Sequence, residues 1–141
     1  MIADRVSLEL RNNLSELDTM GQSLRQFGEA LGLSNKTSFQ ICLAMEEIVS
    51  NIISYGYTDD AVHLIKIAIS HQDGILTIRL EDDGIPFDPL KAEEPDCECP
   101  MEQRKVGNLG IHLSKKVMDD MLYERSGNKN ILTLRKDITA G

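Results

Sequence analysis

Val6, Leu8 and Leu10 alternate with Ser7, Glu9 and Arg11, the period of a strand buried on one side. Ser15 with Asp18 then makes a capping pair, after which Leu17, Met20, Leu24, Phe27 and Leu31 recur at helical spacing until Gly32. A second helix is predicted from Ser34 or Asn35, its apolar stripe formed by Ile41, Met45, Ile48, Ile52 and Tyr55 and its end set by Gly56. Two β-rich runs follow, His63 to Ser70 and Ile75 to Leu80. The Asp73-Gly74 step between them is a hairpin signal, so they should pair antiparallel. From Asp82 to Gly110 periodicity is lost. All 4 prolines and several glycines collect there, with a run of acids between Glu93 and Glu102, so it reads as a long loop of the kind that serves as a functional lid. Leu113, Val117 and Met121 predict a third helix. After the turn Ser126-Gly127-Asn128, Ile131 to Leu134 predict a last strand. This order holds too few β-α-β units for a doubly wound sheet. It predicts an α+β fold of two layers, a mixed, mostly antiparallel sheet with helices on one face.

At 141 residues the chain fits a single domain, 1–141, and the composition is that of an ordinary globular protein. A net charge of -8 with scattered Lys and Arg argues against nucleic-acid binding, which needs clustered cations. Met1 to Val6 carries an acid at position four and no following apolar core, and the apolar run from Ala61 to Ile69 is broken by His63 and Lys66. Neither a secretory leader nor a membrane span is expected, and the expected compartment is the cytoplasm. The 3 cysteines then read as reduced thiols, with Cys97 and Cys99 as loop residues, since the nearby sequence supplies too few further ligands for zinc.

Three short segments carry candidate chemistry. Glu47 and Asn51 lie one turn apart on one face of the second helix, where both can meet one ligand. The amide oxygen of Asn51 suits Mg²⁺, a hard cation that takes its other ligands from phosphates and water, and the carboxylate of Glu47 could take a proton from an attacking hydroxyl. The same spacing is also that of a solvated helix face. Glu46 points roughly 100° away. Second, Asp82 stands where a strand ends, able to accept from an exocyclic amine such as that of adenine, with Gly84 letting backbone approach a flat base. An acidic turn stiffened by Pro86 and Pro89 is the alternative. Third, Gly107-Asn108-Leu109-Gly110 runs into a helix, where backbone N-H groups can meet phosphate oxygens. Its spacing matches neither the Walker loop nor the dinucleotide-binding G-x-G-x-x-G. His112 reads as a structural or solvent-facing residue.

In this order the three segments resemble the N, G1 and G2 boxes of the Bergerat-fold (GHKL) ATPases, and among these the bacterial anti-sigma-factor serine/threonine kinases. Ala44 to Tyr57 is similar to the N box, which implies Glu47 as general base and Asn51 as the Mg²⁺ ligand. Asp82 to Pro89 resembles the G1 box of this subfamily, in which proline, here Pro86, replaces a second glycine; Asp82 would hold the adenine amine, with Gly84 beside it. Gly107, Leu109 and Gly110 would belong to the G2 box closing an ATP lid at about 89–108, and Thr133 on the final strand would be a weaker candidate for nucleotide contact. Asn108 and Tyr55 depart from the usual glycine and histidine, and the acidic stretch Lys91 to Lys105 does not align.

The resemblance implies ATP and Mg²⁺ as cofactors and transfer of the γ-phosphoryl group to a serine of a STAS-type anti-sigma-factor antagonist. It also implies binding and silencing of a sigma factor, and a homodimer formed through the first strand and helix. A rival reading keeps ATP only as a switch for partner binding, without phosphotransfer. A second rival, the ATPase part of a histidine kinase, would need an upstream phosphoacceptor histidine, and no histidine precedes His63.

Overall fold

The computed structural model describes residues 5–86 and 114–138. Five strands, β1 (Arg5–Arg11), β2 (Leu64–Gln72), β3 (Ile75–Asp82), β4 (Asp120–Ser126) and β5 (Lys129–Asp137), form one sheet in the order β1-β2-β3-β5-β4, with every pairing antiparallel. Helices α1 (Glu16–Leu31) and α2 (Asn35–Tyr55) contribute Met20, Leu24, Phe27, Ile41, Met45, Ile48 and Val49 to a core shared with one face of that sheet. The expected two-layer α+β architecture is thus present, with an antiparallel rather than mixed sheet.

Strand register explains which face is buried. Val6, Ile69, Ile78, Leu134 and Met121 lie side by side across the five strands, and Leu8, Ile67, Leu80, Leu132 and Tyr123 form the next row. Successive residues point to opposite sides, so the intervening Ser7, Ala68, Arg79, Thr133 and Leu122 make a row on the other face. The β2–β3 turn is two residues long, with Asp73 at φ 53° and Gly74 at φ 79°, both left-handed as a type I′ turn requires.

Three expectations need correction. Met121 belongs to β4, not to a helix: among the described residues only 114–117 are helical there, and the chain then pairs with β5. Ser15 makes no side-chain cap; its conformation is already helical, and Asn13 Oδ1 accepts from Ser15 N at 3.0 Å instead. Tyr55, placed in the apolar stripe of α2, is 53% exposed. At α2 the cap is as expected, Ser34 Oγ accepting from Thr37 N at 3.1 Å.

Candidate functional site

Helix α2 brings its polar flank to the end of β3. Its apolar stripe turns Ile41, Met45, Ile48 and Val49 into the core, leaving Glu47, Ser50 and Asn51 half-buried beside it. The hydroxyl of Ser50 is spent on the helix itself, donating to the Glu47 carbonyl at 3.1 Å. The helix closes at Gly56, whose carbonyl accepts from Ile85 N at 2.8 Å. That bond docks the turn after β3 onto the end of the helix carrying Glu47 and Asn51.

At Gly84 the turn leaves no room for a side chain against the end of α2. A Cβ at Gly84 would lie 2.5 Å from the Gly56 carbonyl oxygen and 2.9 Å from Asp82 Oδ1. Glycine is required here by the protein's own backbone, a reason separate from the approach of a base expected from sequence.

Asp82 continues the core-facing side of β3 two residues beyond Leu80, so the apolar rows end in a polar one: Asp82, Asn130 and Arg125 side by side. Asp82 is 6% exposed and Asn130 8%. Asp82 Oδ1 accepts from Gly84 N at 2.9 Å and from Asn130 Nδ2 at 3.1 Å. Asn130 Nδ2 also donates to the Ile85 carbonyl at 2.8 Å, and its Oδ1 accepts from Tyr123 Oη and, at 3.2 Å, from Arg125 Nη1. Arg125 Nη1 reaches the Gly84 carbonyl at 2.8 Å as well. Every hydrogen-bonding position of the Asn130 amide is therefore engaged in holding Asp82 and its turn. Burial raises the pKa of Asp82 above the usual carboxylate range; the bonds from Asn130 and Gly84 work against that, the charge of Asp83 adds to it and Arg125 opposes it.

Two atoms of this arrangement are left for something else. Among the described residues both hydrogen bonds of Asp82 fall on Oδ1, so Oδ2 can accept from a ligand's amine. The hydroxyl of Tyr57 is buried without a partner among the described residues, and its pKa is pushed well up, chiefly by burial and then by the charges of Asp82 and Asp83. Among the described residues, a buried carboxylate oxygen without a hydrogen bond and a buried hydroxyl that feels its charge are the kind of groups an adenine ring could meet, with its amine and ring nitrogens.

A family model for the histidine kinase-like ATPase domain matches residues 10–136. The chain belongs to that family.

As a histidine kinase-like ATPase domain it has relatives of the kind the three boxes suggested. It is 25% identical over 101 residues to a serine/threonine-protein kinase, BtrW, of Bordetella bronchiseptica, covering 72% of this chain and 71% of the relative. It is 32% identical over 92 residues to the anti-sigma F factor of Geobacillus stearothermophilus, covering 64% of this chain and 62% of that protein. A serine-protein kinase, RsbW, of Listeria monocytogenes is 22% identical over 135 residues, 92% of this chain and 86% of its own length. Among solved structures, that of the RsbU and RsbW domains of Rv1364c from Mycobacterium tuberculosis superposes with a TM-score of 0.67 at 15% identity, over 96% of this chain but 33% of that one, and speaks for the fold.

Of the residues singled out from sequence, the structure brings Asp82 and Gly84 to the docked turn and carries Glu47 and Asn51 on the helix that the turn abuts; Pro86 is exposed where the described turn ends. Thr133 is not brought there. It lies opposite Arg79 and Leu122 on the sheet face turned away from Asp82, because it is an odd number of residues from Asn130 along β5. Gly107, Leu109, Gly110, the lid, and Cys97 and Cys99 lie outside the described residues. Asn130, Tyr123, Arg125 and Tyr57 were not anticipated. Among the described residues no cluster of His, Cys, Asp and Glu could hold a metal by itself, and no helix is long and apolar enough to cross a membrane.

Proposed function

We propose that this ATPase domain is a serine protein kinase and anti-sigma factor that binds Mg-ATP between α2 and the turn after β3. Its substrate would be a serine of a STAS-type antagonist, and its second partner a sigma factor held by a homodimer. The observation that carries the nucleotide part is the buried Asp82 carboxylate, fixed through Oδ1 by Asn130 and Gly84 with Oδ2 open to an adenine amine. The kinase and partner parts are supported by relatives named serine-protein kinase and anti-sigma F factor.

The division of labour follows from position. Asp82 and its Asn130 brace select the base, and Asn51 and Glu47, further back along α2, would face the triphosphate. Mg²⁺ would be held by the Asn51 amide oxygen and by phosphates, neutralising charge as the phosphoryl group moves. Glu47 would accept the proton of the attacking serine hydroxyl, a contribution worth about 10²–10⁴-fold in rate.

The test is purified protein with γ-labelled ATP and the STAS-type proteins of the source genome. Label on an antagonist serine, lost in Glu47→Gln while ATP binding persists, is the expected result. ATP binding with no label on any candidate would leave a nucleotide-gated binding switch, and no ATP binding at all would end both readings.

A further inference from the structure

The loop leaving α2 and the turn after β3 are joined a second time, through the His63 ring. His63 Nδ1 lies 3.0 Å from Asp83 Oδ1 and His63 Nε2 lies 2.7 Å from Asp59 Oδ1. Its ring is stacked on Tyr57, with centroids 4.3 Å apart and planes 14° from parallel. Its backbone is pinned on both sides by the residue that follows β1: Asn12 N donates to the His63 carbonyl at 3.0 Å, and Asn12 Oδ1 accepts from His63 N at 2.9 Å. The ring is thus a fixed post, 17% exposed, between two carboxylates.

Carboxylates only accept, so both contacts are hydrogen bonds only when both ring nitrogens carry protons; a neutral imidazole can donate to one of them. Among the described residues, the Asp83 carboxylate has only His63 as partner, and Asp83 sits between Asp82 and Gly84. We propose that His63 is a positioning residue for the turn that carries Asp82, and that protonation of its ring clasps this turn to the loop after α2 and strengthens nucleotide binding. The inference rests on the nucleotide-binding reading above. Two effects act in the same direction. The clasp orders the turn, and the imidazolium offsets the charges of Asp59 and Asp83 close to where an anionic nucleotide must sit.

The charged groups acting on the ring are Asp59, in the same loop, and Asp83, in the turn. Their hydrogen bonds and charges raise the His63 pKa above its ordinary value, against partial desolvation. The sign follows: the clasp is complete below about pH 6.5, the ordinary histidine value, and is lost as pH rises through the higher pKa of the folded protein.

The experiment measures the affinity of a fluorescent ATP analogue with Mg²⁺ between about pH 6 and pH 9 for the unaltered protein, His63→Gln and Asp59→Asn. The nucleotide's own terminal phosphate titrates near pH 6, so the slope is read as the difference between proteins. Expected is a several-fold loss of affinity with rising pH in the unaltered protein beyond that of His63→Gln, whose profile stays at the weak end and carries only the nucleotide's own titration, and an intermediate slope in Asp59→Asn. Parallel profiles for the unaltered protein and both variants would overturn the clasp while leaving the nucleotide site standing. No binding at any pH would overturn the nucleotide reading and the clasp with it. Should His63→Gln fail to fold, Asp59→Asn carries the test: Asp59 is 58% exposed, and its variant profile must still flatten.

Discussion

Asn130 donates its side-chain amide to Asp82 across the β3–β5 pairing, at 3.1 Å, at the point where the apolar face of the sheet gives way to a polar row. Because Tyr123 and Arg125 also converge on Asn130, its removal would strand several groups at once. Asn130→Ala is expected to cost about 1–3 kcal/mol of stability, the penalty for leaving buried partners unpaired. Nucleotide affinity should fall with it. Urea unfolding and calorimetric titration with ATP read the two effects separately, and an unchanged affinity would mean that Asp82 needs no brace.

Gly84→Ala places a methyl carbon 2.5 Å from the Gly56 carbonyl oxygen, where backbone must move to accept it. A loss of about 1–3 kcal/mol is expected. Gly127→Ala is the control: its φ of 60° makes any side chain strained, but nothing lies within 4 Å of the new methyl. Only the first substitution should also weaken ATP binding, because only Gly84 lies in the turn docked on α2.

Both halves of this contrast bear on what the sequence could reveal. The strands and helices with clean periods, Val6-Leu8-Leu10 in β1 and the Ile41-Met45-Ile48 stripe in α2, were legible because burial on one side imposes the period directly. Strand β4 was not. Val117 and Met121 stand at a helical spacing, whereas the half-buried Met121, Tyr123 and Arg125 alternate with exposed Leu122 and Glu124, a signal that β5 must be in place to explain. Nothing in the chain announced that Asn130 would face Asp82, since a polar residue at the end of an apolar row is defined only by the β3–β5 register. Thr133, the weaker candidate that the resemblance implies on the final strand, lies on the other side of the pleat. Asp82 itself was legible as an acid at a strand end followed by glycine, although the structural need for that glycine came from Gly56.

Asp82→Asn should separate stability from function. Burial holds the Asp82 pKa above its ordinary value, so the native state retains this proton more tightly than the unfolded chain does. The sign is therefore that the contribution of Asp82 to stability declines as pH rises from about 4 through the raised pKa. Asn, which carries no charge to bury, should flatten that decline. Denaturant unfolding from acid to neutral pH checks this, the unaltered protein losing stability relative to the variant. Binding should move the other way: an amide presenting its NH₂ to the nucleotide's amine loses about 2–3 kcal/mol, roughly 30- to 150-fold in affinity.

Tyr57→Phe offers the most direct check on whether the buried Tyr57 hydroxyl serves a ligand. The hydroxyl is buried with no partner among the described residues, and an unsatisfied buried hydroxyl costs about 1–3 kcal/mol. Removing the oxygen while keeping the ring preserves the stacking on His63. The free protein should accordingly become more stable, by about 1 kcal/mol after allowance for relaxation, measured by thermal or urea unfolding. If the hydroxyl exists to meet the nucleotide or a water bound with it, the same substitution should weaken ATP binding. A variant that is both more stable and an equally good binder would mean that the hydroxyl serves no ligand.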